Sequence, residues 1–93
     1  MGRDDKRLAY QGKIAARLKE WGSQIDRWQD RVKADTQPLI KELNHKRQAV
    51  RHKLAEMKEA SEDHWQDIRS STDHAVEDMR QAVNKAREKF RLP

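Results

Sequence analysis

The chain has 93 residues, of which 34% are hydrophobic and 40% are charged, and it contains only 3 Gly and 2 Pro. A chain this short and polar forms at most one small domain, and its composition is typical of long helices and coiled coils, which excludes a sheet-based fold. It has no Cys, which excludes disulfides and thiolate metal sites, and its formal charge of +5 is compatible with an anionic partner.

Charge is distributed in blocks along the chain. Residues 1–33 carry nine Lys or Arg against five Asp or Glu, and residues 34–60 carry six against four. Residues 61–81 reverse this balance, with two against six, before residues 82–93 return to four against one. An acidic block between basic blocks favours helices that pair with one another, within the chain or between copies, although it also suits nucleic acid.

The first element in chain order is a helix predicted over about residues 4–34. Its apolar residues follow alternating steps of four and three, which is the pattern of a left-handed coiled-coil seam. Trp21 and Trp28 are large for a tight two-stranded seam, so we expect either a wide core or an exposed recognition stripe for another protein. The seam consists of Ile14, Leu18, Trp21, Ile25, Trp28 and Val32.

A bend is predicted near residues 35–38, in the stretch ADTQP. Pro38 cannot donate a helical hydrogen bond but is tolerated in a first helical turn, with Asp35 or Thr36 as the N-cap. The alternative is a continuous, kinked helix, because the apolar ladder stays in phase across the proline as far as Leu39.

Two further helices are predicted after the bend, over about residues 38–60 and about residues 62–91. Ser61, followed by two acids, marks the start of the last helix, and Ser71 or Thr72, followed by Asp73, marks a weaker start. The sequence leaves open whether the chain turns at Pro38, Ser61 or Ser71. The apolar ladder of these helices contains Leu43, Val50, Leu54, Met57, Trp65, Ile68, Met79, Val83 and Phe90.

These patterns together predict an all-α protein of two or three long amphipathic helices, folded as an antiparallel coiled-coil hairpin. The first seam would pack against the later ladder, and we expect the hairpin to associate into a homo-oligomer. We also expect a cytoplasmic protein, since no apolar segment is long enough for a signal peptide or a membrane span.

The four His residues raise the question of a metal site. His45 and His52 are separated by about 10 Å along a helix, too far to share one ion. His52 has Glu56 one turn later, and His74 has Asp78, but two ligands are fewer than a zinc site needs. The chain also lacks the motifs of nucleophilic, phosphate-loop and zinc-protease sites. The sequence therefore predicts a protein that is not an enzyme and uses no cofactor.

Two features suggest an anionic partner. The second helix carries a cluster of cations, which bind phosphate without sequence preference. The last helix has a modest apolar face beside several basic residues, as in helices that lie in the lipid headgroup region. No recognised motif accompanies either feature, so nucleic acid or an anionic membrane is the alternative to a protein partner. The clustered cations are Lys46, Arg47, Arg51 and Lys53.

The C-terminal part of the chain combines a Lys-Leu-x-x-Met-Lys-x-Ala-Ser run with a later Trp and with Ala at helical spacing. It resembles a family of small bacterial coiled-coil proteins described as stress-response proteins, some of them apolipoprotein-like. The resemblance implies a non-enzymatic helical protein that is linked to stress and has no catalytic residues. Pro38 departs from the family pattern and implies a sharper bend here. The matching positions are Lys53, Leu54, Met57, Lys58, Ala60, Ser61, Trp65, Ala75, Ala82, Ala86 and Phe90.

Overall fold

The computed structural model describes residues 3–31 and 33–90. Within these residues the chain forms three α-helices and no strand, which confirms the predicted all-α class. Helix α1 spans Arg3–Arg31, α2 spans Gln37–Glu59 and α3 spans Glu62–Phe90. A short 3₁₀ turn, Ala34–Thr36, precedes α2. Of the predicted seam residues, Val32 lies outside the described residues.

The first reversal of the chain lies between α1 and α2. Lys33 is extended, with φ −83° and ψ 169°, and its carbonyl accepts the Thr36 N–H at 3.0 Å. The Thr36 hydroxyl donates to the same carbonyl at 2.8 Å, so it closes the turn and does not cap α2. Pro38 lies in the first turn of α2, where a missing N–H costs nothing. The proline therefore opens a new helix, and the continuous kinked helix does not form.

The second reversal lies between α2 and α3. Ala60 is extended, with φ −70° and ψ 142°, and its N–H donates to the Met57 carbonyl at 3.3 Å. The Ser61 carbonyl accepts the N–H groups of His64 and Trp65, at 3.2 and 3.0 Å. Two acids occupy the first turn of α3, where the helix dipole favours negative charge. The chain thus turns after Ala60, where Ser61 precedes the first helical residue.

The weaker helix start at Ser71 is wrong, because α3 continues through it without a break. Thr72 is fully buried, and its hydroxyl donates to the Ile68 carbonyl at 2.7 Å, one turn earlier in the same helix. A Thr hydroxyl satisfied in this way fits a helix interior as well as a helix start.

The two short reversals place α2 antiparallel to both of its neighbours, and α1 and α3 lie parallel. The parallel pair is visible at both ends: the Tyr10 ring is 6.0 Å from the Trp65 ring, and the Trp28 ring is 5.6 Å from the Phe90 ring. The result is a three-helix bundle of 48 × 20 × 17 Å, in which α1 packs against the hairpin formed by α2 and α3.

The core lies along the axis of the bundle and receives side chains from all three helices. It contains one large apolar residue that the sequence pattern did not predict, Ile40, which is 2% exposed, whereas Leu39 is only half-buried. Since α2 starts anew at Gln37, its register is independent of the α1 seam. The buried apolar residues are Ile14, Leu18, Trp21, Ile25, Trp28, Ile40, Leu43, Val50, Leu54, Met57, Trp65, Met79, Val83 and Ala86.

Candidate functional site

The residues predicted to form an interface lie inside the single chain. All of those that the structure describes are buried, except Ile68 and Phe90, which are half-buried. Trp21 and Trp28 are 7% and 5% exposed, so they belong to the core and do not form an exposed recognition stripe. Three helices leave room for two such large rings, and Trp28 packs edge-on against Phe90.

The predicted basic cluster of α2 is divided between two edges of the helix. Lys46 Nζ lies 2.8 Å from the Asp78 carboxylate of α3, and this hydrogen bond raises the pKa of Lys46. Arg47 Nη1 lies 3.1 Å from the Asp26 carboxylate of α1, on the opposite side. Because its members point to different neighbours and are partly neutralised, the cluster does not form one cationic surface.

Arg51 and Lys53 are the other two cations of the predicted cluster. Arg51 is exposed and lines the cleft between α1 and α2 together with Lys19. Lys53 Nζ lies 3.7 Å from the Glu56 carboxylate on its own helix. These surface contacts are worth at most about 1 kcal/mol each, so they describe local charge balance more than stability.

Arg47 occupies a position of the α2 seam and is accommodated by a glycine. The nearest heavy atom to an ideal Cβ at Gly22 is Arg47 Nη2, at 2.8 Å, so a larger residue there would displace the guanidinium. Arg47 Nε is buried and has no hydrogen-bond partner among the described residues. Gly22 thus permits a close approach of α1 and α2 around a charged side chain.

The two His–acid pairs lie on the outer faces of the bundle. His52 Nε2 is 3.2 Å from Glu56 Oε1, and the His52 side chain is 77% exposed. Asp78, one turn after His74, accepts a hydrogen bond from Lys46. Within residues 3–31 and 33–90 no group of three or more potential ligands is close enough to hold a metal ion.

A cluster of aromatic and charged side chains joins α1 and α3 at the end of the bundle that contains the second reversal. Arg69 lies over the rings of Tyr10 and Trp65, with its guanidinium carbon 5.0 and 5.5 Å from their centroids. The Tyr10 hydroxyl donates to the Asp73 carboxylate. Burial and this hydrogen bond raise the pKa of Tyr10 above its usual range. The alternating steps of the seam lead back from Ile14 to Gln11 and not to Tyr10, so the seam pattern does not indicate this contact.

Arg7 fixes the second reversal from the outside. Its Nη2 donates to the Ala60 carbonyl at 2.5 Å and also to the Met57 carbonyl. Carbonyls at a helix C-terminus have no partner within the helix, and a cation near them is favoured by the helix dipole. No sequence pattern indicates this contact, because it depends on how α1 meets the end of α2.

A cavity of about 430 Å³ lies at the same end, between the starts of α1 and α3. Its walls include the cations Lys6, Arg7 and Arg69 and the acids Glu62 and Asp63. Because opposite charges line the cavity, it favours neither an anionic nor a cationic ligand.

Comparison of the chain with protein-family models, with curated proteins and with solved structures found no match. The resemblance of the C-terminal part to stress-response proteins therefore stays a prediction. Among the described residues, none of the helices is long and apolar enough to cross a membrane.

Proposed function

We propose that the protein is a non-enzymatic helical module that acts by contact with another protein, in a bacterial stress response as its resemblance implies. The proposal rests on one observation: the apolar stripe is buried within a single chain and is not exposed for another molecule. Among the described residues Leu8, at 64%, is the one large apolar side chain that is exposed. What remains for other molecules is a rod-shaped, charged exterior.

Such an exterior favours contacts of a particular kind. Interfaces between proteins that associate transiently are about as polar as the rest of the surface and are held by hydrogen bonds and water. A bundle that is folded before it binds loses little conformational entropy on association. The module would therefore present side chains on a rigid scaffold, and binding would be reversible.

Self-association belongs to the same proposal. Because the seam is covered within the chain, copies would meet through charged faces, and their association would weaken as salt screens those charges. Light scattering at two salt concentrations tests this part. If copies associate through charged faces, the molar mass should exceed that of one chain at low salt and should fall at high salt.

The protein contact is tested by site-specific photocrosslinking in cells that express the protein naturally. The crosslinking residue replaces Ala16, Gln48 or Gln81, which are exposed positions on α1, α2 and α3, with the buried Val50 as the control. We expect an adduct of defined mass from one of the three exposed positions, in larger amount under stress. No adduct from any face, with or without stress, would contradict the proposal.

A further inference from the structure

Helices α1 and α3 meet along one edge in a regular register. The Tyr10 hydroxyl bonds to Asp73, and Gln24 Oε1 accepts a hydrogen bond from Arg87 Nη2 at 3.0 Å. Gln24 lies two heptads after Tyr10 on α1, and Arg87 lies two heptads after Asp73 on α3, so the spacing of the two contacts is the same on both helices. Parallel helices in this register bring a further pair together midway, one heptad from each contact.

The midway pair consists of two arginines, Arg17 and Arg80. Both are exposed, and Arg17 makes no ion pair or hydrogen bond to any described residue. Arg80 binds Glu77 with two hydrogen bonds, Nε to Oε2 at 2.9 Å and Nη2 to Oε1 at 2.5 Å. Two guanidinium groups on facing positions repel each other, and an anion placed between them would relieve that repulsion.

More cations follow the same edge. Lys13 lies one turn before Arg17 and is exposed, and Arg31 lies one heptad after Gln24 and is exposed as well. From Lys13 to Arg31 the edge is about 27 Å long, at 1.5 Å per helical residue. The cations thus follow the long axis of the bundle, and the same edge also carries the carboxylates of Asp73, bonded to Tyr10, and Glu77, bonded to Arg80.

The net charge is concentrated toward one end of this line. The contacts of Lys46 with Asp78 and of Arg47 with Asp26 divide the bundle at about its middle. Residues 22–46 and 79–90, on the side of the first reversal, carry nine Lys or Arg against five Asp or Glu. Residues 3–21 and 47–78 carry eleven of each. The excess positive charge therefore lies in one half of the molecule.

We propose that the edge between α1 and α3 binds the phosphate backbone of a nucleic acid, with Arg17 and Arg80 as the central contacts. A linear row of cations matches a linear polyanion, and duplex DNA carries about one negative charge per 1.7 Å of its axis. An anionic membrane is less suited, because the described surface offers no cluster of large apolar side chains to enter the lipid. The binding contacts phosphate only and is independent of base sequence.

Glu77 acts as an internal competitor for this site. The Glu77 carboxylate is charged at neutral pH, as an ordinary Glu is, and it accepts hydrogen bonds from Arg80 and Gln81 that lower its pKa to about 2. A phosphate must therefore share or replace that carboxylate at the Arg80 guanidinium. Removing the charge of Glu77 should strengthen binding, an effect opposite to that of removing Arg80.

The test is the binding of a labelled DNA duplex of about 20 base pairs, followed by fluorescence anisotropy between about 50 and 200 mM salt. In the variant Arg17→Gln with Arg80→Gln we expect the affinity to fall about tenfold or more, and the slope of log K against log salt to fall by about 2. Glu77→Gln should raise the affinity for the duplex by about threefold, because the Arg80 guanidinium no longer binds a carboxylate and can contact a phosphate.

The matched control is Lys19→Gln with Arg51→Gln. These exposed cations face each other across the other edge of α1, so the variant changes the net charge equally. We expect its affinity to change by less than about twofold, because this edge lies away from the proposed path of the phosphates. Equal losses of affinity in both double variants, or no binding of the natural protein at low salt, would overturn the proposal. Binding to phosphatidylserine vesicles without binding to DNA would overturn it in favour of a membrane.

Discussion

The guanidinium group of Arg47 lies where the side chain of residue 22 would be, with Nη2 2.8 Å from the Cβ position of Gly22. The same guanidinium bonds to Asp26, one turn later on α1. The three residues join α1 to α2 at mid-bundle. A glycine in a helix interior lowers helix stability by about 1 kcal/mol relative to alanine. The contact between Arg47 and Asp26 that Gly22 permits offsets part of this loss.

Substituting the two helical glycines by alanine should therefore have different effects. Gly12→Ala meets no atom within 4 Å of the new Cβ and should stabilise the protein by about 0.5–1 kcal/mol. Gly22→Ala should stabilise it less or not at all, because the Arg47 guanidinium, which bonds to Asp26, has to move away from the new Cβ. In an Arg47→Ala background, Gly22→Ala should recover the full gain. Urea unfolding measures all four values, and equal gains from both glycines in the natural background would show that Arg47 does not restrict residue 22.

Arg7 should contribute more to stability than other cations of α1. Arg7→Met keeps most of the stem but removes the donor to the Ala60 and Met57 carbonyls, and we expect a loss of about 1–3 kcal/mol. Arg17→Met, which removes an exposed cation without such a partner, should change the free energy of unfolding by less than about 0.5 kcal/mol. If the two variants unfold at the same urea concentration, Arg7 does not fix the second reversal.

Tyr10 should titrate abnormally, and it can be observed directly because it is the only Tyr in the chain. Its pKa in the folded state is raised above the value of about 10 found in unfolded chains. The neutral hydroxyl is thus stabilised by folding, and this contribution is complete below about pH 10 and is lost as the pH rises toward the folded pKa. Phenolate absorbance should appear at higher pH in the native protein than in denaturant, and Asp73→Asn should lower that midpoint. A normal midpoint in the native protein would mean that the Tyr10–Asp73 contact is absent in solution.

The two tryptophans of the α1 seam should be essential for the fold. Trp21→Asp with Trp28→Asp leaves cavities and two buried charges, and each substitution should cost about 3–5 kcal/mol or more, which together approach the total stability of a small domain. Circular dichroism should show the loss of most helicity. Ser23→Asp with Gln29→Asp adds the same charge at exposed positions of α1 and should leave the helicity unchanged. Helicity that survives the Trp double variant would show that another surface holds the bundle together.

The features that depend on short-range patterns were predictable from the sequence. The heptad steps located the α1 seam, and the helix bounds agree with the structure within three residues, since they follow from Pro38, Ser61 and the apolar period. Ile40 was not predicted, because a helix that restarts at a proline has a register of its own. Ser71 was misleading because a Ser or Thr before an acid resembles a helix start, while the Thr72 hydroxyl bonds within the helix.

The features that depend on how helices face one another were not predictable. The basic cluster of α2 reads as one patch in the sequence, but Lys46 and Arg47 point to different helices. Arg17 and Arg80 are distant in the sequence, and their placement on facing positions is inferred only from the register of the Tyr10–Asp73 and Gln24–Arg87 contacts. Charged side chains on solvated faces can pair in many ways that differ little in energy. A sequence pattern therefore does not decide which cations become neighbours.

One chain buries its own apolar seam, and the thermal unfolding midpoint as a function of protein concentration tests whether a second copy contributes to that burial. The measurement is made at high salt, where contacts between the charged faces of two copies are screened. If the seam is closed within the chain, the midpoint should then stay constant within about 1 °C over a hundredfold range of concentration, because folding is unimolecular. A midpoint that rises by several degrees with concentration would contradict the claim, since mass action would then show that a second copy completes the core.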